Sequence, residues 1–260
     1  MKRFPASVLQ PLLGVVGIIL LLVLWQWGST QVSTERALPS VGAVGTALVT
    51  NLQNPAVWLA IGQTLGIALA GWAAAAVIGV VLGIAVGTSR AFSAATRGLL
   101  DFLRPIPAIV ILPLVLLVLG PTTEMGLFLV VFGVVLPIAA QTAAGVEAAD
   151  PVARSTARSF GMGTLEILWR VVLPGASPYI GTAMRVAAPV TLVMVVVAGM
   201  LGGAPGLGSL LSLAQMTGRY VDLFSYVVIL GILGLIVQAA STRAERAVLH
   251  WHTSYRQEGI

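Results

Sequence analysis

Residues 146–174 read VEAADPVARSTARSFGMGTLEILWRVVLP, a polar island between two long hydrophobic runs. The island holds three arginines (Arg154, Arg158, Arg170), three acids (Glu147, Asp150, Glu166) and two helix-breaking glycines (Gly161, Gly163). Charges at this density are not stable in hydrocarbon. The stretch therefore lies in water and divides a lipid-embedded chain into two parts.

Its own pattern predicts two short helices. Asp150-Pro151 is a helix start, with an acceptor side chain at the cap and proline at the first helical position. Arg154 and Arg158, four apart, then share one face. Gly161 suits the left-handed conformation that closes a helix. A second helix follows Gly163-Thr164, with Leu165, Leu168, Trp169 and Val172 on one stripe and Glu166 paired to Arg170 opposite. Pro174 starts the turn into the next span. A small-residue helix with cationic tips, a glycine bend and an amphipathic helix along the membrane suit docking into a groove of a cytoplasmic partner. The alternative is an interfacial loop with no partner.

The rest of the chain is strongly apolar. Of its 260 residues 58% are hydrophobic and only 9% charged, where soluble domains carry about 25% charged residues; mean hydropathy is +0.99. So much apolar surface requires lipid as solvent. Cysteine is absent, which excludes disulfides and thiolate metal sites. The arginines are scattered between apolar runs, not gathered in one patch, which argues against nucleic-acid binding.

Six segments are long enough to cross a hydrocarbon core about 30 Å thick: residues 8–27, 61–88, 102–120, 124–145, 177–201 and 223–242. The first follows Lys2 and Arg3 but runs into Leu24-Trp25-Gln26-Trp27 with no small-residue cleavage site, so it is expected to stay as an anchor. With the N-terminus inside, the cytoplasmic side receives Lys2, Arg3, Arg90, Arg97, Arg154, Arg158, Arg170, Arg243, Arg246 and Arg256, against Arg36 and Arg219 outside. That bias places both termini and the polar island in the cytoplasm. The expected organisation is an anchor and external segment (1–60), a transmembrane core (61–242) with the cytoplasmic loop 146–176, and a tail (243–260).

Outside, Ser40 after Leu38-Pro39 is positioned to cap a short helix bearing Val41, Val44 and Leu48. The loop 202–222 opens with Gly202-Gly203-Ala204-Pro205-Gly206-Leu207-Gly208 and continues as an apolar helix, Ser209–Met216. It is either a gate, with Gly206, Leu207 and Gly208 at its heart, or a plain connector. Within the spans, Gly79, Gly83 and Gly87 make a flat stripe for close helix approach. Pro105, Pro107, Pro113, Pro137 and Pro189 free backbone carbonyls that lipid does not solvate. Their spans either line a translocation route or are kinked for packing alone. Arg104 is placed to pair with Asp101. Arg185, two turns into the fifth span, either snorkels to the surface or faces a cavity and attracts anions.

No engine is visible. A nucleotide-binding P-loop needs a lysine, and the only one is Lys2. Asp101, Glu124 and Asp222 lie at span ends, where an ion-coupled carrier places carboxylates near the midplane. His250 and His252 are too few for a metal site, and no nucleophile–base pair is evident. No cofactor and no catalytic or metal-ligating residue is expected.

The polar island resembles the cytoplasmic signature loop of ABC importer permeases, Glu-Ala-Ala-x3-Gly-x9-Ile-x-Leu-Pro. Gly161 meets the spacing with Val171, Leu173 and Pro174, so the triplet falls on Ser155-Thr156-Ala157. The literal Glu147-Ala148-Ala149 lies eight residues too early. Leu38-Pro39-Ser40, Arg104-Pro105-Ile106-Pro107-Ala108, Pro113-Leu114, Leu173-Pro174 with Pro178, Gly206-Leu207-Gly208 and Glu245-Arg246 with Trp251 are similar to the nitrate/sulfonate/taurine branch. Where that branch commonly has Ala-Glu, this chain has Ala198-Gly199.

The resemblance implies an all-α integral membrane protein of six transmembrane helices, with kinked cavity-lining helices, a cytoplasmic coupling-helix loop and cytoplasmic termini. It further implies a permease subunit of a bacterial plasma-membrane importer for a small anionic solute, paired with a second copy. Two ATPase subunits would dock on Arg154, Ser155, Thr156, Ala157, Arg158, Ser159, Phe160 and Gly161, with Leu173 and Pro174 behind them, and a solute-binding protein would dock outside. The rival readings are a secondary carrier or channel working without an ATPase, and a membrane-embedded enzyme.

Overall fold

A computed structural model describes residues 6–31 and 38–250, with side chains described from Leu13 onward. Lys2, Arg3, Arg36, Trp251, His252 and Arg256 lie outside the described residues. The described residues form helices and connecting turns: α1 (Ala6–Gln31), α2 (Val41–Leu52), α3 (Pro55–Thr88), α4 (Arg90–Leu103), α5 (Ala108–Leu119), α6 (Thr123–Glu147), α7 (Pro151–Ser159), α8 (Thr164–Ile167), α9 (Leu173–Gly202), α10 (Leu207–Met216) and α11 (Tyr220–Val248).

The bundle is organised on α3 and α6. Gly71, Gly79, Gly83 and Gly87 form one stripe on α3, and Val130, Ile138, Thr142 and Val146 pack into it from α6. A methyl group at Gly83 would fall 2.5 Å from the Ala139 carbonyl oxygen, and one at Gly87 would fall 2.8 Å from the Val146 Cβ. The glycines are what let the two helices approach to backbone contact, as the four-residue spacing predicts. The partner residues ascend in the same order on both helices, so α3 and α6 run parallel. On the other side of α6, Gly145 meets Tyr179 of α9, where a methyl group would lie 2.7 Å from the Tyr179 Cβ.

Helix α2 begins as expected, the Ser40 hydroxyl accepting the Ala43 N–H at 3.2 Å. It is tied to α11 through buried polar groups. Asn51 Nδ2 donates to Asp222 Oδ1 at 3.1 Å and to Ser225 Oγ at 2.6 Å, and Arg219 closes on Asp222 at 2.7 Å. From Leu13 to Gln31, α1 has no buried residue. Its C-terminal end is pinned by Trp25, which donates to the Pro39 carbonyl at 3.1 Å and meets the Phe224 ring at 5.6 Å.

Several boundaries differ from expectation. The second span starts at Pro55, not residue 61, because Asn54 caps it: its side chain accepts the Ala56 N–H at 3.0 Å. The third span is not one kinked helix over 102–120. Arg104 is still helical, but Pro105 and Pro107 have no N–H to continue the ladder and Pro107 is itself extended, with ψ 133°, so the chain breaks into α4 and α5 with a bend of 91°. The last span runs to Val248, so the residues just after 242 continue the helix.

No turn separates the second loop helix from the fifth span. α8 runs into α9 through a π-helical segment, Leu168–Val172, and the whole is a continuous helix over Thr164–Gly202. Pro174 explains the segment. It has no N–H for the Arg170 carbonyl and its ring would crowd that carbonyl, so the preceding turn widens. The widened turn also displaces the predicted apolar stripe. Ile167 and Val172 are buried, whereas Leu165 and Trp169 are about two-thirds exposed, at 67% and 65%.

Candidate functional site

The loop helix α7 is rigidly built at both ends. Asp150 Oδ1 accepts the Val152 N–H at 2.8 Å. At the other end the Met162 N–H bonds back to the Ala157 carbonyl at 3.1 Å and the Gly161 N–H to the Arg158 carbonyl at 2.9 Å. This is the paired closure of a Schellman motif. It requires Gly161 to be left-handed, and its φ is +80°. Ala157 is buried among Val146, Ala149, Ile167, Val172 and Ala176, which seats the helix on the ends of α6 and α9.

Arg154 does not point outward as a cationic tip. Its Nη2 donates to the Val146 carbonyl at the end of α6 and ties α7 to that span. Ser155 and Ser159 turn their hydroxyls onto carbonyls one turn back, at 2.8 Å and 3.2 Å. What faces outward is Thr156, Arg158 and apolar surface, above all Val152 and Phe160, the latter 83% exposed. Leu173 is half-buried and Pro174 exposed just past the π segment. The expected Glu166–Arg170 pair forms at 3.2 Å.

A cavity of about 570 Å³ lies between α3, α9 and α11. Its walls are apolar, with Leu69, Trp72, Met184 and Leu192 prominent. At one end Arg185 Nε meets Glu245 Oε2 at 2.5 Å, and the Thr182 hydroxyl donates to Glu245 Oε1 at 3.1 Å. Glu245 is nearly closed to solvent, its side chain 4% exposed against 33% for Arg185. The Arg185 charge is held against a buried carboxylate on the last span. Of the residues singled out for a translocation route, Arg185 alone lines this cavity. Pro105 and Pro107 lie at the α4–α5 elbow, Pro137 on an open face of α6, and Pro189 half-buried in α9. Arg104 pairs with Asp101 at the same elbow, 3.5 Å apart and exposed.

The glycine-rich segment 202–208 is tightly packed. Gly203 and Gly206 take positive φ, +76° and +132°. The Leu207 N–H, where α10 begins, donates to Thr64 Oγ1 at 2.9 Å. Leu207 itself is fully buried. Gly208 lies against Gly199, where a methyl group would sit 3.0 Å from the Gly208 Cα. A side chain at position 199 would also meet the Ala204 carbonyl oxygen and the Ser209 nitrogen at 3.0 Å, so the glycine of the Ala198-Gly199 pair suits this crowded crossing.

Sequence reasoning did not pick out Thr182 or Thr64, and it quoted Glu245 only for its resemblance, not as the partner of Arg185. For Glu245 the signal was present: Val237, Ser241, Ala244 and Val248 continue the helical spacing beyond residue 242, so Glu245 had to lie on a helix.

Comparison with known proteins agrees with this architecture. Residues 75–250 match the family described as "Binding-protein-dependent transport system inner membrane component". The chain is 25% identical over 242 residues to the taurine transport system permease protein of Escherichia coli, covering 90% of this chain and 87% of that protein. It is 28% identical over 256 residues to the bicarbonate transport system permease protein of Synechococcus elongatus, covering 94% and 90%. The nitrate import permease protein of Synechocystis is 28% identical over 167 residues, covering 64% and 61%. Among solved structures, a chain of the inward-facing MetNI methionine ABC transporter superposes with a TM-score of 0.66 at 21% identity, covering 74% of this chain and 96% of that one. A chain of this fold and match belongs to the family of inner-membrane components of binding-protein-dependent transport systems, the multi-pass permease subunits of ABC importers.

Proposed function

We propose that this permease carries a small anion, a sulfonate or an oxyanion of the nitrate or bicarbonate kind, and that α7 is where an ATPase drives it. The observation that carries the coupling role is α7 itself: a helix capped at both ends, seated on α6 and α9 by Ala157 and Arg154, and presenting Val152, Thr156, Arg158 and Phe160 outward. Ser155, Ser159 and Gly161 hold the shape of that surface, and Leu173 and Pro174 connect it to the span. The names of the relatives support the substrate class, since taurine, bicarbonate and nitrate all carry a compact anionic group.

In this reading ATP is hydrolysed by two separate ATPase subunits, one on each α7 of a homodimer, and a solute-binding protein delivers substrate at the α10 side. The basic-residue bias sets α7 and both termini in the cytoplasm. The open faces at Pro105, Pro107 and Pro137, with the half-buried Pro189 of α9 behind them, border the path between the two copies. The packed turn at Gly206, Leu207 and Gly208 forms its outer constriction. Closure of the ATPase dimer moves α7, and the attached spans tilt to expose the path to one side at a time.

The test is reconstitution. Proteoliposomes holding the permease, its ATPase and its binding protein are expected to accumulate labelled taurine, nitrate or bicarbonate only with ATP. Accumulation by the permease alone under an ion gradient would overturn the reading in favour of a secondary carrier.

A further inference from the structure

The helix α4 takes no part in the coupling surface or the cavity, yet it has three distinct sides. Ser93, Thr96, Leu100 and Leu103 are half-buried against the bundle. There Leu100 and Arg104 share a shallow cleft with Val86, Leu136, Ala139 and Ala143, in the last third of α3 and the second half of α6. Arg90, Arg97 and Arg104, seven residues apart, form a second side. Phe92, Ala95, Leu99 and Phe102 form the third, which is open: Phe92, Leu99 and Phe102 are 38%, 59% and 67% exposed. No residue of α4 is buried.

Its direction matters as much as its composition. α5 packs along α6 and α9, and α4 meets α5 at 91°, so α4 lies across the bundle where the adjoining spans reach their ends. The exposed apolar side continues the open apolar surface of α5, where Leu114, Leu117 and Val118 are bare. Among the described residues Arg90 and Arg97 make no ion pair, and the single acid on α4, Asp101, is taken by Arg104. Apolar residues on one side, unpaired cations on the other and an axis across the spans are the features of a helix seated in a charged lipid interface.

We propose that α4 is an interfacial elbow, with Phe92, Leu99 and Phe102 among acyl chains and Arg90 and Arg97 against anionic phospholipid headgroups, so that the permease gathers anionic lipid beside its broken third span. The argument rests on membrane insertion and not on the coupling role of α7. The leaflet is the cytoplasmic one if the basic-residue bias sets the orientation.

The chain has no cysteine, so Leu99→Cys provides a unique site for a fluorophore. The full-length chain is placed in nanodiscs of mixed phosphatidylcholine and phosphatidylglycerol at one fixed ratio, with either lipid brominated. An arginine at the surface favours an anionic headgroup about fivefold. Quenching by brominated phosphatidylglycerol, corrected for mole fraction, is therefore expected to exceed that by brominated phosphatidylcholine several-fold. In the Arg90→Gln/Arg97→Gln variant, whose altered side chains are both exposed, the excess should collapse towards one. Equal quenching by the two lipids in the parent would overturn the proposal. So would an absence of quenching by either, which would mean that protein covers the apolar side.

Discussion

Replacing Gly161 separates conformation from contact at α7, the proposed docking helix. Its φ is +80°, and a Cβ built there meets nothing within 4 Å. A substitution thus acts through the backbone and not through a clash. An L-residue in the left-handed region costs about 1–2 kcal/mol, with a β-branched residue at the upper end. Relaxing to negative φ instead breaks the Gly161–Arg158 and Met162–Ala157 bonds that close α7. In either case the binding-competent shape loses about 1–2 kcal/mol, which lowers apparent affinity for the ATPase roughly 5- to 30-fold. The assay is titration of the ATPase subunit onto nanodisc-embedded permease for Gly161→Asn, Gly161→Ala and Gly161→Val. Affinity should fall in that order while membrane insertion is unchanged, because asparagine tolerates the left-handed region best. Wild-type affinity in the valine variant refutes the docking assignment. Equal losses in asparagine and valine refute the conformational reasoning and assign Gly161 to direct contact.

Three further outcomes follow from the packing. Arg185→Met strands the Glu245 carboxylate and should cost about 3 kcal/mol, the low end for a broken buried pair because Arg185 is partly exposed; adding Glu245→Gln should restore most of the thermal stability in detergent, and an equal loss in both variants would contradict this. Gly83→Val places its Cβ 2.5 Å from the Ala139 carbonyl oxygen and should cost about 3 kcal/mol or more. Gly17→Ala, with nothing within 4 Å, should leave the melting temperature unchanged. Thr64→Val leaves the buried Leu207 N–H without an acceptor, a loss of about 1–3 kcal/mol, and hydrogen exchange at Leu207 should accelerate at least several-fold while Thr64→Ser stays near wild type.

The glycine stripe, both caps of α7 and the left-handed Gly161 were legible because each depends on residues close in sequence. The Arg104–Asp101 and Glu166–Arg170 pairs were legible for the same reason. Hydropathy blurred the ends of the spans. Asn54-Pro55 is as good a start signal as Asp150-Pro151, but the surrounding apolar run hides it, and two prolines separated by one residue should have ended the third span's helix. The Arg185–Glu245 and Leu207–Thr64 contacts join residues 60 and 143 positions apart. No local pattern specifies such partners. The exposure of Phe160 and the inward turn of Arg154 depend on how α7 rolls against α6 and α9, which a helical wheel of α7 alone leaves open.

The π segment has a mechanical consequence. A π turn holds one surplus residue relative to an α-helix. Were that residue passed along the helix or absorbed, the part before it would rotate by about 100° and shift about 1.5 Å relative to the part beyond. Pro174 keeps the widened turn where α8 meets the span. A push delivered along the axis at this joint can be answered by twist, as in a screw thread. Leu165 and Trp169, now turned outward, and Ile167, now turned inward, are the side chains whose exchange of places would mark such a step.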